Sequence, residues 1–263
     1  MIRSLHSAAS GMEAQQTQID VIANNMANVN TTGFKKSRAE FQDLLYQEVQ
    51  AATARSGRRS SEGRPVPIEI GQGTRLVATQ KIFQTGDLHQ TTNQLDVAIE
   101  GDGFLRVRMP DGLRSYTRDG GLKMTSEGQV VTTFGHPLDP PIFIPPDATR
   151  VAIDQDGTVK AQVPGDVDLV EVGRIELSQF VNPSGLRSLG SGLYQETEAS
   201  GRPIDGAPGE QGRGTVAQGF LESSNVKVVE EMIDLIAAQR AYEINSKVIQ
   251  AADQMLGEAA QLR

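Results

Sequence analysis

Apolar and polar positions follow two regimes along this chain: a helical period at both ends, and short β-branched runs between turn signals in the middle. At the N-terminus Ile2, Leu5, Ala9, Met12, Gln16, Ile19, Ala23 and Met26 step by three and four, with Gln16 the polar exception. That is the a/d spacing of a coiled-coil seam. It predicts a helix over residues 2–28, roughly 40 Å long. Asn24, Asn25, Asn28 and Asn30 crowd its end, and Gly33 offers a stop just beyond. At the C-terminus Leu235, Tyr242, Ile249 and Leu256 repeat every seven residues. Ala238, Asn245, Ala252 and Ala259 form a second register, and Ala241, Val248, Met255 and Leu262 a third. Three adjacent stripes make a face wider than one partner helix covers. Ser223 or Ser224 is expected to cap this helix, with Glu230, Glu231 and Asp234 favourable in its early turns.

Between the ends, Asp102-Gly103, Asp111-Gly112, Asp119-Gly120, Glu127-Gly128 and Asp156-Gly157 read as hairpin turns that need positive φ. The runs they separate include Leu95–Ile99, Phe104–Val107, Gln129–Thr133, Val151–Ile153, Val159–Val163, Leu169–Val172 and Ile175–Phe180. Strands this short and frequent predict an all-β domain, sandwich or barrel-like. All 12 prolines and 24 of the 27 glycines lie between Gly57 and Gly219, so the breakers mark the same boundaries as the periodicity. The fold class that follows is α+β, with terminal helices around a central all-β domain.

Composition then narrows the function. The chain of 263 residues has no cysteine, which removes disulfides, thiolate metal sites and a cysteine nucleophile. His6, His89 and His136 are too scattered for a paired metal site. A net charge of −8 and 5% aromatics argue against nucleic acid as a partner. Asp154-x-Asp156-Gly157 looks like the opening of a calcium loop but lacks the later acids, so a hairpin turn is the better reading. Gly101-x-Gly103 lacks the third glycine of a dinucleotide loop, no Gly-x-Ser-x-Gly elbow occurs, and no carboxylate pair stands out. No catalytic residue, metal site or cofactor is expected. The cluster Arg55, Arg58, Arg59 and Arg64 reads as a solvated flexible loop, with contact to an acidic partner as the other reading. No run of 18 apolar residues is present, and Ser4, His6, Ser7 and Ser10 interrupt the run a secretory signal needs. Export, if it occurs, is expected by a route that reads no cleaved signal.

Four strings then match a known family. Ala23–Arg38, ANNMANVNTTGFKKSR, resembles the N-terminal segment of the bacterial flagellar rod and hook proteins. Ser224–Leu256 resembles their C-terminal signature, and Gln94–Val107 and Tyr116–Thr132 are similar to their inner β domain. Among these proteins the strings QRAYEINSK and TRDG look most like distal rod subunits. The resemblance implies a terminal coiled-coil layer from residues 1–30 and 222–263, lining an axial channel. It implies a rod-specific connecting segment over 31–75, a β-rich outer domain over 76–200 and a return linker over 201–221. Self-assembly would use Ile2, Leu5, Met12, Ile19, Met26, Leu235, Tyr242, Val248, Ile249, Met255 and Leu256. The rod-specific segment would include Tyr46, Arg55, Arg58, Arg59, Arg64 and Pro65. Implied partners are further copies in a helical homopolymer, other rod subunits, hook protein, the surrounding ring proteins and the flagellar export apparatus. The implied location is the periplasm-spanning rod of the basal body, and the role is structural: a hollow drive shaft carrying torque. Alternatives are another axial subunit (proximal rod or hook-like), a β-domain binding module on a helical stalk, or a glycan hydrolase with helices for oligomerisation.

Overall fold

The computed structural model describes residues 2–50, 67–164 and 169–261. It divides into two compact units. The helical unit comprises Met1–Met26, Ser37–Gln80 and Val228–Arg263, and the β unit comprises Ala27–Lys36 and Lys81–Lys227. No helix of the described residues is long and apolar enough to cross a membrane.

In the helical unit α1 spans Ile2–Ala27 and α2 spans Val228–Gln261. Gly11 of α1 lies against Asn245 of α2, and Asn25 of α1 donates to Glu231 of α2. The two contacts run in opposite directions along the helices, so the pair is antiparallel. Glu230 and Glu231 occupy the first turn of α2 as expected. The cap does not: α2 begins at Val228, and Ser224 instead accepts the backbone N–H of Val226 in a local turn. Gly33 likewise is no helix stop. It lies well past Ala27, and its φ of 66° brings it within 2.7 Å (as a notional Cβ) of the Arg118 backbone.

Four strands complete this unit: β1 (Ser37–Asp43), β2 (Tyr46–Gln50), β3 (Ile68–Gly71) and β4 (Thr74–Lys81). β1 pairs with β4 and β2 with β3, giving a two-stranded ribbon. Most of its positions are exposed, and apart from Ile68-Glu69-Ile70 its sequence shows little apolar alternation.

The β unit continues with β5 (Leu88–Gln90), β6 (Val97–Glu100), β7 (Phe104–Arg108), β8 (Arg114–Thr117), β9 (Leu122–Met124) and β10 (Val130–Thr132). Then come β11 (Arg150–Ile153), β12 (Thr158–Gln162), β13 (Val170–Arg174) and β14 (Leu177–Gln179). The last are β15 (Arg187–Gly190), β16 (Leu193–Gln195), β17 (Ile204–Gly206), β18 (Thr215–Gln218) and β19 (Phe220–Glu222). Six strands form one sheet in the order β15-β16-β8-β7-β14-β17, and β11-β12-β13 form a second. β6 pairs with β18, β5 with β19 and β9 with β10. Leu105, Val107, Leu177 and Leu193 of the large sheet share one apolar core with Ile153, Val159 and Ala161 of the small one. The other face of the large sheet carries Phe104, Tyr116, Phe180 and Tyr194, packed edge to face. Both faces of β7 are therefore buried, which is why Phe104–Val107 reads as a continuous apolar run interrupted only by Arg106. Arg106 is held by Glu176, Asp139 and Asp205.

The turn signals separate into two kinds. Gly112, Gly128 and Gly157 take positive φ in tight turns, as the pattern predicts. Asp102-Gly103 joins β6 to β7, but those strands pair elsewhere, so it is not a hairpin. Asp119-Gly120 needs glycine for space: a Cβ at Gly120 would lie 1.5 Å from the Val97 carbonyl oxygen.

Asp119, at this close approach, accepts the Gly121 N–H. Burial raises its pKa above the usual carboxylate value, with Asp96 acting in the same direction. The folded chain therefore binds this proton more tightly than the unfolded one. The stability so conferred is present below the unfolded pKa and is lost as pH rises through the folded one. Asp119→Asn, which keeps the acceptor for Gly121, is expected to raise the melting temperature at pH 7 and to match the parent near pH 3. Thermal scans at the two pH values check this.

Candidate functional site

The helical unit presents two kinds of helix face. On α1 the buried residues are Ala8, Ala14, Ile22 and Asn25. Leu5, Met12, Ile19 and Met26 of the predicted seam lie half-buried beside that line, while Ala9, Gln16 and Ala23 are exposed. Ile2 opens the helix. On α2, Ala238 and Ala252 are buried, and Leu235, Ile249 and Leu256 are half-buried on the same side, where Asn245 meets Gly11. Tyr242, Val248 and Met255 are exposed. Val248 and Met255 belong to a wider outward surface in which Ile233, Ala237, Ala241, Ile244, Val248, Ala251 and Met255 again step by three and four, while Tyr242 keeps the register of Leu235 and Ile249. Ile233 is 60% exposed, Ile244 61% and Val248 42%. The stripe is about 33 Å long. Ile233 and Ile244 were outside the three sequence registers, because a helix apolar on several sides gives no single period to follow.

The ribbon is laid along α1. At its root Asn25 accepts the Ser37 N–H at 2.9 Å and donates to the Ser37 carbonyl at 2.9 Å. Further out, Ser10 accepts the Thr74 N–H at 3.3 Å, and a Cβ on Gly73 would lie 2.2 Å from the Ser10 hydroxyl. Leu44 pairs with Gly73 across the ribbon. Strand from Ser37 to Leu44 covers about 23 Å, and helix from Asn25 to Ser10 covers about 23 Å, so strand and helix stay in step. β2 and β3 then reach the first turns of α1, where Arg3, His6, Gln47 and Ile70 line a cleft of about 240 Å³. Leu45, Tyr46, Val49, Ile68, Ile70 and Val77 of the ribbon are exposed. Arg55, Arg58, Arg59, Arg64, Pro65 and Leu262 lie outside the described residues.

In the β unit, one buried cluster gathers three stretches that are far apart in sequence. Glu222, at the end of β19, has a fully buried side chain. It accepts from Lys35 Nζ at 2.6 Å, Arg118 Nε at 3.0 Å and the Gly86 N–H at 2.9 Å. Lys35 also donates to the Gln84 carbonyl, and Arg118 to the carbonyls of Gly101 and Gly103. Two cations share one carboxylate here. Burial lowers the Lys35 pKa; Glu222 opposes that shift and Arg118 reinforces it. Beside the cluster, Asn225 accepts the Lys36 N–H at 2.8 Å and donates to the Ile82 carbonyl at 2.8 Å. Ile82 N–H in turn pairs with the Lys36 carbonyl. The Asn225 amide thus takes the place of a neighbouring strand for both segments.

These tied residues are largely those of the strings that drew attention in the sequence. Asn25, Gly33, Lys35 and Ser37 lie within Ala23–Arg38, Arg118 within Tyr116–Thr132, and Asn225 within Ser224–Leu256. Glu222 lies just outside, a single acid with no local pattern to mark it. The Asp154–Gly157 segment is a hairpin turn in which Asp156 accepts from Thr158, and no group of acids and histidines among the described residues is placed to hold a metal ion.

The comparisons with known proteins cover both ends and the centre. The family described as "Flagella basal body rod protein" matches residues 5–35, and "Flagellar hook protein FlgE/F/G D1 domain" matches residues 98–161. "Flagellar basal body rod FlgEFG protein C-terminal" matches residues 217–262. The flagellar basal-body rod protein FlgG of Borreliella burgdorferi is 48% identical across 100% of this chain and 99% of its own. The protein of the same name from Caulobacter vibrioides is 45% identical across 100% of both chains. The flagellar hook-basal body complex protein FlhP of Bacillus subtilis is 32% identical across 98% of both. These relatives are named as structural flagellar proteins and not as enzymes. This chain belongs to the FlgG family of flagellar basal-body rod proteins, structural subunits of the distal rod.

Proposed function

We propose that copies of this chain polymerise helically into a rigid, hollow drive shaft that carries torque from motor to hook. The observation that carries this reading is the outward stripe of α2. About 33 Å of Ile, Val, Ala and Met runs along the helix on a largely exposed side that adjoins the face packed on α1. A stripe of that length on an isolated subunit is an interaction surface. A second copy of the chain suits it, because a rod subunit meets its own kind on several sides.

In this arrangement the terminal helices of successive copies form a coiled-coil layer around an axial channel. Tyr242, Val248 and Met255 of α2, with Ile2, Leu5, Met12, Ile19 and Met26 of α1, meet neighbouring copies. Leu235, Ile249 and Leu256 hold the helix pair and close the edge of the same surface. The ribbon, and the segment beyond Tyr46 with its arginines, bridges adjacent copies and removes freedom between layers. Other rod subunits and hook protein meet the two ends of the shaft, ring proteins surround it, and the flagellar export apparatus delivers the chain.

Electron microscopy of the concentrated full chain tests the central claim. Straight, open-ended filaments are expected, because a head-to-tail contact that does not close generates a helix. Closed small oligomers, or monomers at every concentration, would overturn it.

A further inference from the structure

The β unit meets its boundaries through three stretches: 33–36, 82–87 and 219–226. Each is tied to the other two inside that unit. Gly33 N–H bonds the Glu222 carbonyl, Ile82 N–H bonds the Lys36 carbonyl, and Ser223 N–H bonds the Asp87 carbonyl. Across these ladders lie two side chains. Glu222 gathers Lys35 and Gly86 from below, and Asn225 gathers Lys36, Ile82 and Gln84 from beside.

We infer that Asn225 and Glu222 form a joint that fixes the three stretches as one rigid plate, and that Asn225 is its positioning residue. The inference rests on the reading of the chain as a load-bearing rod subunit. Its chemistry is independent of that reading. The Asn225 amide has an acceptor turned to one stretch and a donor turned to the other, so it sets their separation as a strand would. It is part-exposed and uncharged and lies outside the apolar core, so removing it takes a partner from three backbone groups, at Lys36, Ile82 and Gln84, and leaves that core intact. A joint of this kind holds the three stretches of the β unit in register. Stiffness of a polymer made from such units depends on each copy being internally rigid.

Two variants of the full chain separate the donor from the acceptor. Asn225→Leu removes both, and Asn225→Asp keeps the acceptor for Lys36 while losing the donor to Ile82 and Gln84. Hydrogen exchange on the unassembled chain is expected to rise about five- to tenfold over 33–36 and 82–87 in the leucine variant. In the aspartate variant the rise is confined to 82–87, with the Lys36 amide still protected. Filaments of the leucine variant are expected to bend more, with a persistence length at most about half that of the parent. Unchanged exchange in both variants would overturn the inference, as would exchange rising uniformly through the β unit. Filaments of parental straightness would overturn it too. Lost assembly counts for the joint only alongside the local exchange rise, and against it otherwise. A parent chain that builds no filament defeats the rod reading, while the exchange pattern still judges the joint.

Discussion

Glu222→Gln is expected to destabilise the β unit by about 3–5 kcal/mol, the cost of removing one partner from a buried ion cluster. The side chains of Glu222 and Lys35 are wholly buried and that of Arg118 is nearly so. Glutamine keeps the shape and one acceptor, so packing is preserved and the loss is electrostatic. It leaves two buried cations facing each other with no anion. Lys35→Met should be far milder, since it leaves a neutral Arg118–Glu222 pair and relieves a lysine whose charge is already disfavoured by burial. Adding Lys35→Met to Glu222→Gln should therefore recover part of the loss. Urea titration followed by the near-ultraviolet signal of Tyr116 and Tyr194 measures all three. A Glu222→Gln midpoint near that of the parent would refute the account.

The second large effect is on assembly. Ile244→Asp with Val248→Asp is expected to raise the concentration needed for polymerisation at least about a hundredfold, or roughly 2.7 kcal/mol per added copy. Burying each apolar side chain contributes about 1.5–3 kcal/mol, and a carboxylate placed there adds a desolvation cost. Both positions are exposed in the unassembled chain, so circular dichroism and the melting temperature should change little. Sedimentation across a concentration series gives the threshold. The same replacement at Leu235 or Ile249 is less discriminating, because those side chains are already half-buried in the unassembled chain. Unimpaired polymerisation of the double variant would remove the α2 stripe from the interface.

The terminal helices were legible because a period of three and four needs only neighbours in sequence to reveal it, and α1 ends within a residue of its expected limit. The central strands were legible for a similar reason: glycine turns with positive φ announce themselves locally, as at Gly128 and Gly157. The ribbon was read only as part of a connecting segment. Most of its residues are exposed, so the pairing of Tyr46 with Gly71 leaves little trace in hydropathy. Gly120 shows that one residue type answers two demands, and only coordinates say which. The joint was not legible in the sequence. Its chemistry is spread over residues such as Lys35, Arg118 and Glu222 that no window contains together.

That separation orders events in time. Lys35 and Glu222 are 187 residues apart, and closing so long a loop is a late, slow step relative to local hairpins. Until Glu222 arrives, Lys35 and Arg118 have no carboxylate to enter the core with. A chain stopped short of residue 222 thus lacks the β unit's closing piece, and completion of the fold is timed to the last quarter of the chain.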